Sequence, residues 1–467
     1  MSKIKPEAYD LVVIGSGEGG KFLAWTLGRK GRKVAVVERR WVGGSCPNIA
    51  CLPSKNVIHS AKVASYFFRS EEFGISKDHV RIDLSGVRER KRRMVAGLVD
   101  MHHSNFRQSG AELIMGFGRF IGPRTVEVAL PDGNTRVLRG ENVVINTGTR
   151  AHLDALPGLR EAEPLTHVEA LELDRTPSHL LILGAGFVGL ELGQAFRRFG
   201  AEVTIVDRNE RIIHREDPDV SDSLHEALRH EGIRIVTQAQ VARVEGRSGQ
   251  RVKLYGTAQG ADLALEGSDL LVASGRIPNT EGLGLPAAGV ETTAEGFIKV
   301  NERRQATAQG IWAIGDCAGG PNYTHVSFDD FRVVRDNLLG GNHVTTGRQI
   351  PSCLFTDPEL AQIGLSETEA KARSIPYRLA KIPMAADLRT RTLSETQGFM
   401  KALVAADSDL ILGFTMFGVM AGEVMATVQV AMLADLPYTV LRDAVFAHPT
   451  MLEGLITLFS AVPPRGD

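Results

Sequence analysis

The chain has 467 residues, which is enough for about three domains of ordinary size. Its 54 basic and 55 acidic residues leave a net charge of −1, which excludes a global field that would attract nucleic acid or a membrane surface. The sequence contains no apolar run of about 18 residues, and its N-terminus lacks the apolar segment of a signal peptide. These features predict a cytoplasmic protein.

The first predicted elements are a strand, a glycine-rich turn, a helix and a second strand. The apolar run Tyr9 to Ile14 leads directly into Gly15-Ser16-Gly17-Glu18-Gly19-Gly20. A helix is predicted from Lys21 to Lys30, and a second strand from Lys33 to Val37 leads into Glu38. This order, with an acid 23 positions after the first glycine, is the fingerprint of a dinucleotide-binding unit.

Each glycine of this fingerprint has its own physical task. Gly15 permits the tight turn, Gly17 lets the backbone approach a pyrophosphate at the helix N-terminus, and Gly20 allows close packing. Glu38 is predicted to accept a hydrogen bond from a ribose hydroxyl. A glycine-rich turn without a ligand is the alternative.

Two cysteines follow the first fingerprint, in Gly43-Gly44-Ser45-Cys46-Pro47-Asn48-Ile49-Ala50-Cys51-Leu52-Pro53-Ser54-Lys55. The chain has only 4 cysteines, so such a close pair is improbable by chance. A structural zinc site needs four ligands, and the sequence offers no second cysteine cluster. In a reducing compartment a close pair is catalytic or redox-sensing. The sequence therefore predicts a redox disulfide beside a cofactor, with inert buried cysteines or a metal site as the alternatives.

Two features lie between the cysteines and the next fingerprint. The basic run Arg88-Glu89-Arg90-Lys91-Arg92-Arg93 is predicted to be a solvated helix face, with a polyanion-binding patch as the alternative. Thr125 to Leu130 and Arg136 to Leu138 flank Pro131-Asp132-Gly133, and this arrangement predicts a β-hairpin.

The dinucleotide-binding unit recurs in the middle of the chain. Leu180 to Leu183 precedes Gly184-Ala185-Gly186-Phe187-Val188-Gly189, and a helix follows as far as Phe199. The strand Glu202 to Val206 then leads into an acid that is again 23 positions after the first glycine. The predicted nucleotide contacts of this second unit are Gly184, Gly186, Gly189 and Asp207.

Two dinucleotide sites and a cysteine pair indicate a path for electrons. Reduction of a disulfide by a nicotinamide requires a flavin between them. Because the cysteines follow the first fingerprint directly, the first site is assigned to FAD and the second to NAD(P)H. Asp207 favours NADH, because a carboxylate there accepts from the ribose 2′-hydroxyl and repels a 2′-phosphate. Arg208 and Arg211 stand close behind and are expected to soften this preference.

The cysteine segment resembles the active-site segment of the flavin-dependent pyridine nucleotide-disulfide oxidoreductases, the family of dihydrolipoamide dehydrogenase, glutathione reductase and mercuric reductase. The resemblance covers essentially the whole chain. The other segments that resemble family motifs are Asn146-Thr147-Gly148-Thr149, Gly275-Arg276-Ile277-Pro278-Asn279, Gly310 to Asp316, Phe355-Thr356-Asp357-Pro358-Glu359 and His448-Pro449-Thr450-Met451-Leu452-Glu453.

The resemblance implies an α/β fold with two Rossmann-like dinucleotide-binding domains and a C-terminal α+β dimerisation domain. Residues 1–150 and 271–341 are expected to form the FAD domain. Residues 151–270 are expected to form the NAD(P) domain, and residues 342–467 the interface domain.

The resemblance also implies roles for individual residues. Cys51 is identified with the flavin-facing sulfur that forms a charge-transfer thiolate, and Cys46 with the thiol that attacks substrate. Lys55 is expected near flavin N5, paired with Glu191, where the pair would stabilise charge on the reduced flavin. The further cofactor contacts that the resemblance implies are Gly44, Thr147, Gly148 and Asp316 for FAD and Gly275 for the nicotinamide nucleotide.

The His-Pro-Thr-x-x-Glu segment resembles the family's acid–base dyad. Glu453 would accept from one ring nitrogen of His448 and set its tautomer. In the family this dyad acts on the disulfide of the other subunit, which implies a homodimer with shared active sites. Mercuric reductases have a C-terminal cysteine pair and a tyrosine in place of the histidine, so mercury reduction is disfavoured here.

The predicted function is transfer of a hydride from NAD(P)H to FAD and of electrons through Cys46 and Cys51 to a disulfide or oxidised-sulfur substrate. Residues 388–398 and His448 to Met451 look closer to a reactive-oxidant-linked branch than to lipoamide dehydrogenase. The alternatives are dihydrolipoamide dehydrogenase, which oxidises a dithiol with NAD, and a flavin redox sensor that does not turn over. No metal, nucleic acid or membrane partner is expected.

Overall fold

The computed structural model describes residues 5–465, and the chain divides into two compact units. The described part of the first unit comprises residues 5–57, 85–152 and 275–348. The second unit comprises residues 58–84, 153–274 and 349–465. The division into an FAD domain, an NAD(P) domain and an interface domain stays a prediction.

The first unit is built on a seven-stranded sheet whose centre is parallel. Glu7–Ile14 pairs in parallel with Val34–Glu38 on one side and with Thr135–Ile145 on the other. All residues of Val34–Glu38 are buried, as expected for a parallel strand covered on both faces. The strands of this unit are Glu7–Ile14, Val34–Glu38, Glu112–Met115, Phe117–Gly122, Thr125–Ala129, Thr135–Ile145, Thr149–Ala151, Arg276–Pro278 and Ile311–Ala313.

The predicted hairpin is confirmed at one side of this sheet. Thr125–Ala129 pairs antiparallel with Thr135–Ile145, and the connecting turn contains Gly133 at φ +86°. A left-handed backbone of this kind suits glycine, which has no Cβ.

The α/β fold class is confirmed by the order of strands and helices. The strands lie at the predicted positions, and the cofactor fingerprint lies at the carboxyl end of the parallel strands.

The helices around this sheet carry much of the candidate chemistry. The cysteines occupy the start of Ser45–Asn48 and of Cys51–Phe68, and the basic run lies on Leu84–Ser109. The basic run was predicted to be a solvated helix face. This prediction was wrong for Lys91, which is only 1% exposed. The remaining helices of the first unit are Glu18–Arg29 and Thr324–Leu338, with 3₁₀ turns at Leu285–Ala288 and Gly315–Ala318.

The second unit contains the repeated fingerprint on a four-stranded parallel sheet. His179–Leu183 leads into the helix Phe187–Arg198 and then into Glu202–Val206, so the predicted strand–helix–strand order is confirmed. The sheet order, from edge to edge, is Arg234–Val236, Glu202–Val206, His179–Leu183 and Asp269–Val272. A separate antiparallel sheet is formed by Ala239–Arg247, Arg251–Ala258 and Ala261–Gly267.

The last part of the second unit is an antiparallel five-stranded sheet with helices. Its core is formed by buried apolar residues of Phe399–Ala405, Ile411–Gly418 and the helix Ala421–Leu433. The sheet order is Ser352–Leu354, Glu359–Gly364, Ile411–Gly418, Phe399–Ala405 and Tyr377–Pro383. The helices of this unit, 3₁₀ turns included, are Ser70–Phe73, His167–Ala170, Phe187–Arg198, Pro218–His230, Glu367–Ala372, Met384–Ala386, Leu388–Leu393, Ala421–Leu433, Tyr438–Arg442 and Glu453–Ser460.

No helix within residues 5–465 combines the length and the apolar character needed to span a lipid bilayer.

A buried lysine lies among three carboxylates in the second unit. Nζ of Lys401 is 2.7 Å from Asp217, 2.8 Å from Asp219 and 3.1 Å from Glu367, and its side chain is 0% exposed. Burial alone would raise the pKa of Asp217, but hydrogen bonds from Lys401 and Thr368 outweigh it and lower that pKa to about 2. The ammonium group therefore occupies the position that a cation would take in this carboxylate cluster.

We expect Lys401→Met to destabilise the protein by about 3–5 kcal/mol, because it leaves the buried carboxylate of Asp217 without its counter-charge. Urea denaturation of the holoenzyme at pH 7 measures this loss. Lys381→Met is the matched control, since Lys381 contacts the same Asp219 at 2.5 Å but is 39% exposed. We expect Lys381→Met to lower the free energy of unfolding by about 0–1 kcal/mol. Equal costs for the two variants would contradict the assignment.

The same cluster predicts an acid sensitivity. The folded pKa of Asp217 lies below its ordinary value of 3.8, so its stabilising contribution is fully present above that value. The contribution is lost as the pH falls toward about 2. In Lys401→Met this part of the acid dependence should be weaker in an acid titration of stability, because only the hydrogen bonds from Thr368 then remain to lower the pKa of Asp217.

Candidate active site

The glycines of the first fingerprint lie where side chains cannot fit. Gly15 has φ +98°, and a Cβ there would collide with the carbonyl oxygen of Asn146. A Cβ on Gly20 would lie 2.6 Å from the carbonyl oxygen of Gly15, and one on Gly44 would lie 2.5 Å from Cα of Gly17. The turn, the helix start and the segment before the cysteines therefore approach each other at backbone distance.

The start of the helix Glu18–Arg29 fits a dinucleotide pyrophosphate. Gly17 is the N-cap, has an extended backbone and supplies no side-chain cap. Backbone donors at such a helix start, together with the helix dipole, favour an anion. The residues present therefore fit the FAD that the sequence predicts.

Glu38 holds the fingerprint loop in addition to its predicted ribose contact. Its buried carboxylate accepts from the backbone N–H of Ser16 at 2.9 Å and from the Ser16 hydroxyl at 2.7 Å. Its second oxygen accepts from the N–H groups of Arg40 at 2.8 Å and Trp41 at 3.0 Å. The acid thus fixes the loop that carries Gly15 and Gly17, and the ribose contact stays a prediction.

The second fingerprint repeats this arrangement. Asp207 accepts from the N–H of Ala185 at 2.7 Å, as Glu38 accepts from Ser16, and also from the N–H of Asn209 at 2.8 Å. Gly184 has φ +106°. A Cβ on Gly189 would collide with the carbonyl oxygen of Gly184. Gly186 is the N-cap of Phe187–Arg198 and has open space around its Cα, which fits a second phosphate-binding turn.

Asp316 lies at the end of a chain of three polar side chains. The hydroxyl of Thr149 donates to Asp316 at 2.8 Å, and Nε of Arg276 donates to the same hydroxyl at 2.7 Å. Burial raises the pKa of Asp316. The sequence analysis assigned no role to Thr149 or Arg276. Both residues lie in segments that resemble family motifs, and this position was the available signal.

The remaining predicted contacts lie on neighbouring turns of the first unit. Gly148 has φ +65° and open space around its Cα, and Gly275 has φ +148°. The side chain of Asn279 donates to the carbonyl of Thr147 at 2.9 Å, and the N–H of His152 donates to the carbonyl of Gly275 at 3.0 Å. These bonds join the two returning segments to each other.

Cys46 and Cys51 are in contact and are chemically unequal. Both are half-buried free thiols joined by a hydrogen bond in which Cys51 is the acceptor. That bond, with help from Thr324 and the charge of Lys55, lowers the pKa of Cys51 to about 6. Donating the bond, together with burial, raises the pKa of Cys46. The Thr324 hydroxyl, 3.2 Å from the Cys51 sulfur, and the charge of Lys55 therefore favour a thiolate on Cys51.

Lys55 and Glu191 fall in different units. Lys55 lies one turn after Cys51 on the helix Cys51–Phe68. Glu191 is buried on the helix Phe187–Arg198, and its carboxylate accepts from the N–H of Phe355 at 2.9 Å. The predicted pairing of Lys55 with Glu191 stays a prediction.

His448 and Glu453 are hydrogen-bonded in the second unit. Nδ1 of His448 lies 3.1 Å from one carboxylate oxygen of Glu453 and 3.2 Å from the other. The N–H of Thr450 also donates to Glu453 at 3.1 Å and is the main cause of the lowered pKa of that carboxyl. Engaging Nδ1 leaves Nε2 of the exposed imidazole for proton exchange with a substrate.

Comparison with protein-family models identifies the family of the chain. Residues 9–330 match the pyridine nucleotide-disulphide oxidoreductase family, and residues 350–458 match the dimerisation domain of the same family. The chain belongs to this family. It is an NAD(P)H-dependent flavoprotein disulfide oxidoreductase that uses FAD, and its dimerisation domain supports a homodimer.

The chain is similar to two proteins and to one solved structure of this family. The chain is 35% identical to a probable pyridine nucleotide-disulfide oxidoreductase, RclA of Escherichia coli K12, over 97% of this chain and 99% of the relative. It is 32% identical to the mitochondrial dihydrolipoyl dehydrogenase of Dictyostelium discoideum, over 96% of this chain and 93% of that relative. The copper(II) complex of the HOCl-induced flavoprotein disulfide reductase RclA from E. coli matches with TM-score 0.89 and 33% identity, over 98% of this chain and all of that chain.

Proposed function

We propose that the chain works in the reducing direction and converts a small disulfide or related oxidised-sulfur compound to thiols at the expense of NAD(P)H. For a disulfide, RSSR′, NAD(P)H and one proton give RSH, R′SH and NAD(P)⁺. The observation that carries the proposal is the pair of neighbouring thiols, with the Thr324 hydroxyl 3.2 Å from the sulfur of Cys51 and Lys55 one turn further along the same helix. A reaction that consumes NAD(P)H fits a cytoplasmic enzyme.

Bound FAD would supply a hydride acceptor for the nicotinamide and a two-electron path to the cysteines. The turn formed by Gly15 and Gly17 would hold its pyrophosphate, with Gly20 allowing the helix to pack close to that turn, and Asp316 would hold its polyol chain. Thr149 and Arg276 support this assignment, because their hydrogen bonds orient the Asp316 carboxylate.

The thiol chemistry then follows from the two cysteines. Cys46 loses its proton and attacks one sulfur of the substrate disulfide, and the first thiol leaves with a proton. The Cys51 thiolate next attacks the sulfur of Cys46, which releases the second thiol and forms the Cys46–Cys51 disulfide. Because the pKa of Cys46 is raised, this first step needs a base.

His448 is the proposed base, oriented by Glu453 and contributed by the partner subunit. Its ring is 66% exposed in the single chain, as expected for a residue that is covered on assembly. Large apolar side chains of the same unit are also exposed, notably Val430, Leu433 and Val445. Exposed apolar residues of this size are typical of an interface.

A screen of substrates tests the proposal. NADH oxidation by the purified holoenzyme is measured with lipoamide, glutathione disulfide, other small disulfides, hypothiocyanite, Hg(II) and Cu(II). We expect turnover with a disulfide or an oxidised-sulfur compound. Turnover that is faster in the direction of dihydrolipoamide oxidation would support the second candidate, a dihydrolipoamide dehydrogenase, which the similarity to the Dictyostelium enzyme favours. Absence of turnover with every compound would leave a redox sensor.

NADH is expected to be preferred to NADPH by about ten- to a hundredfold in kcat/KM, because one hydrogen bond to a charged group is worth about 1.5–3 kcal/mol. Kinetics with both nucleotides measure this ratio. Asp207→Ala should bring the ratio close to one. Asp207→Asn is the matched control, since its amide oxygen can still accept from Ala185 and keep the loop in place. A wild type that favours NADPH would contradict the proposed ribose contact.

A further inference from the structure

The sulfur of Cys51 lies at the start of two helices. Cys51 is the first residue of Cys51–Phe68, and Thr324 is the first residue of Thr324–Leu338. Oγ1 of Thr324 is 3.2 Å from Sγ of Cys51. A helix N-terminus favours negative charge, and a hydroxyl is a better hydrogen-bond donor than a thiol. The two elements therefore meet where a thiolate would be stabilised.

We propose that Thr324 is a positioning residue that donates its hydroxyl hydrogen to the Cys51 thiolate and so stabilises the negative charge of the reduced pair. The inference rests on the roles proposed above for the two cysteines. It adds a donor that comes from a segment 273 residues away in the chain.

The neighbouring charged groups act together with this hydroxyl. Lys55 and Arg276 lie within electrostatic reach of Cys51 and favour its thiolate form. Glu18 lies within reach of Cys46 and disfavours a second negative charge there. Thr324 differs from these groups, because it contacts the sulfur directly and carries no charge of its own.

The contact also separates function from folding. Tyr323 is the N-cap of Thr324–Leu338 and makes no side-chain cap, so the Thr324 hydroxyl is not what begins this helix. Valine has the shape of threonine without the hydroxyl. Thr324→Val therefore removes the donor with little change in packing, and Thr324→Ser keeps the donor.

The test measures the pH dependence of the long-wavelength charge-transfer absorbance in the two-electron-reduced holoenzyme. In Thr324→Val we expect the apparent pKa of this band to rise by about one to two units, the value of a hydrogen bond to a charged group. Thr324→Ser should stay close to the wild type. FAD content and melting temperature confirm that each variant is folded.

Two outcomes would overturn the inference. A Thr324→Val band with the wild-type pKa would show that the hydroxyl does not stabilise the thiolate. Equal shifts in the valine and serine variants would show a packing effect. Cys46→Ser separates this failure from failure of the proposed cysteine roles, because it should show the band without reduction. If Cys46→Ser has the band and Thr324→Val leaves its pKa unchanged, only the role of Thr324 is wrong.

Discussion

Cys46→Ser and Cys51→Ser are each expected to abolish disulfide turnover while FAD remains bound. A serine hydroxyl cannot form the Cys46–Cys51 disulfide, so electrons from the nicotinamide have no sulfur path to substrate. Reduction of the wild type by two electrons should produce long-wavelength absorbance. Cys51→Ser should lack this band, whereas Cys46→Ser should show it before any reduction, because the Cys51 thiolate is then permanently free.

The two other cysteines of the chain provide the matched controls. Cys353 is a half-buried cysteine on a strand of the second unit, and Cys317 is fully buried in the first. Cys353→Ser and Cys317→Ser should both retain turnover and the band. If Cys51→Ser shows the band and Cys46→Ser lacks it, the assignment of the two sulfurs is reversed.

His448→Ala is expected to lower disulfide turnover by about 10²–10⁴-fold, the usual contribution of a general acid–base group. The loss should fall on the thiol steps, because the raised pKa of Cys46 makes its deprotonation depend on a base. Stopped-flow reduction of the flavin by NADH should stay near the wild-type rate. His343→Ala, at an exposed histidine outside the site, is the control. Equal damage to both half-reactions would mean that His448 is structural.

Mixed dimers test whether the active sites are shared. A His448→Ala chain paired with a Cys46→Ser chain should retain one working site, formed by the intact cysteines of one subunit and the intact dyad of the other. A mixed dimer as inactive as either parent would show that each subunit uses its own histidine. Both results are read from turnover per dimer after the homodimers have been removed.

The parts of this molecule that were predictable from sequence are those set by local pattern. Each fingerprint places a strand, a glycine turn, a helix and a strand within about 30 residues, and local sterics at Gly15 and Gly184 determine the turn. The cysteine pair was recognisable because its members are near each other in sequence. The His448–Glu453 contact lies within one short segment as well.

The parts that were missed depend on contacts between distant segments. Thr324 reaches Cys51 across 273 residues, and Arg276 reaches Thr149 across 127, so no local pattern signals either contact. Lys91 belongs to the run that was predicted to be a solvated helix face, because charged side chains are usually exposed. Only the tertiary structure shows that it is buried.

Lys401 is, in effect, a counter-ion that cannot dissociate. Three carboxylates this close together could be neutralised by a dissolved divalent ion, and the folded state would then gain or lose stability with the concentration of that ion. Here the cation is attached to the strand Phe399–Ala405 by its own side chain. Neutralisation of this cluster therefore needs no dissolved divalent ion, and a chelator should leave the unfolding of this part of the second unit unchanged.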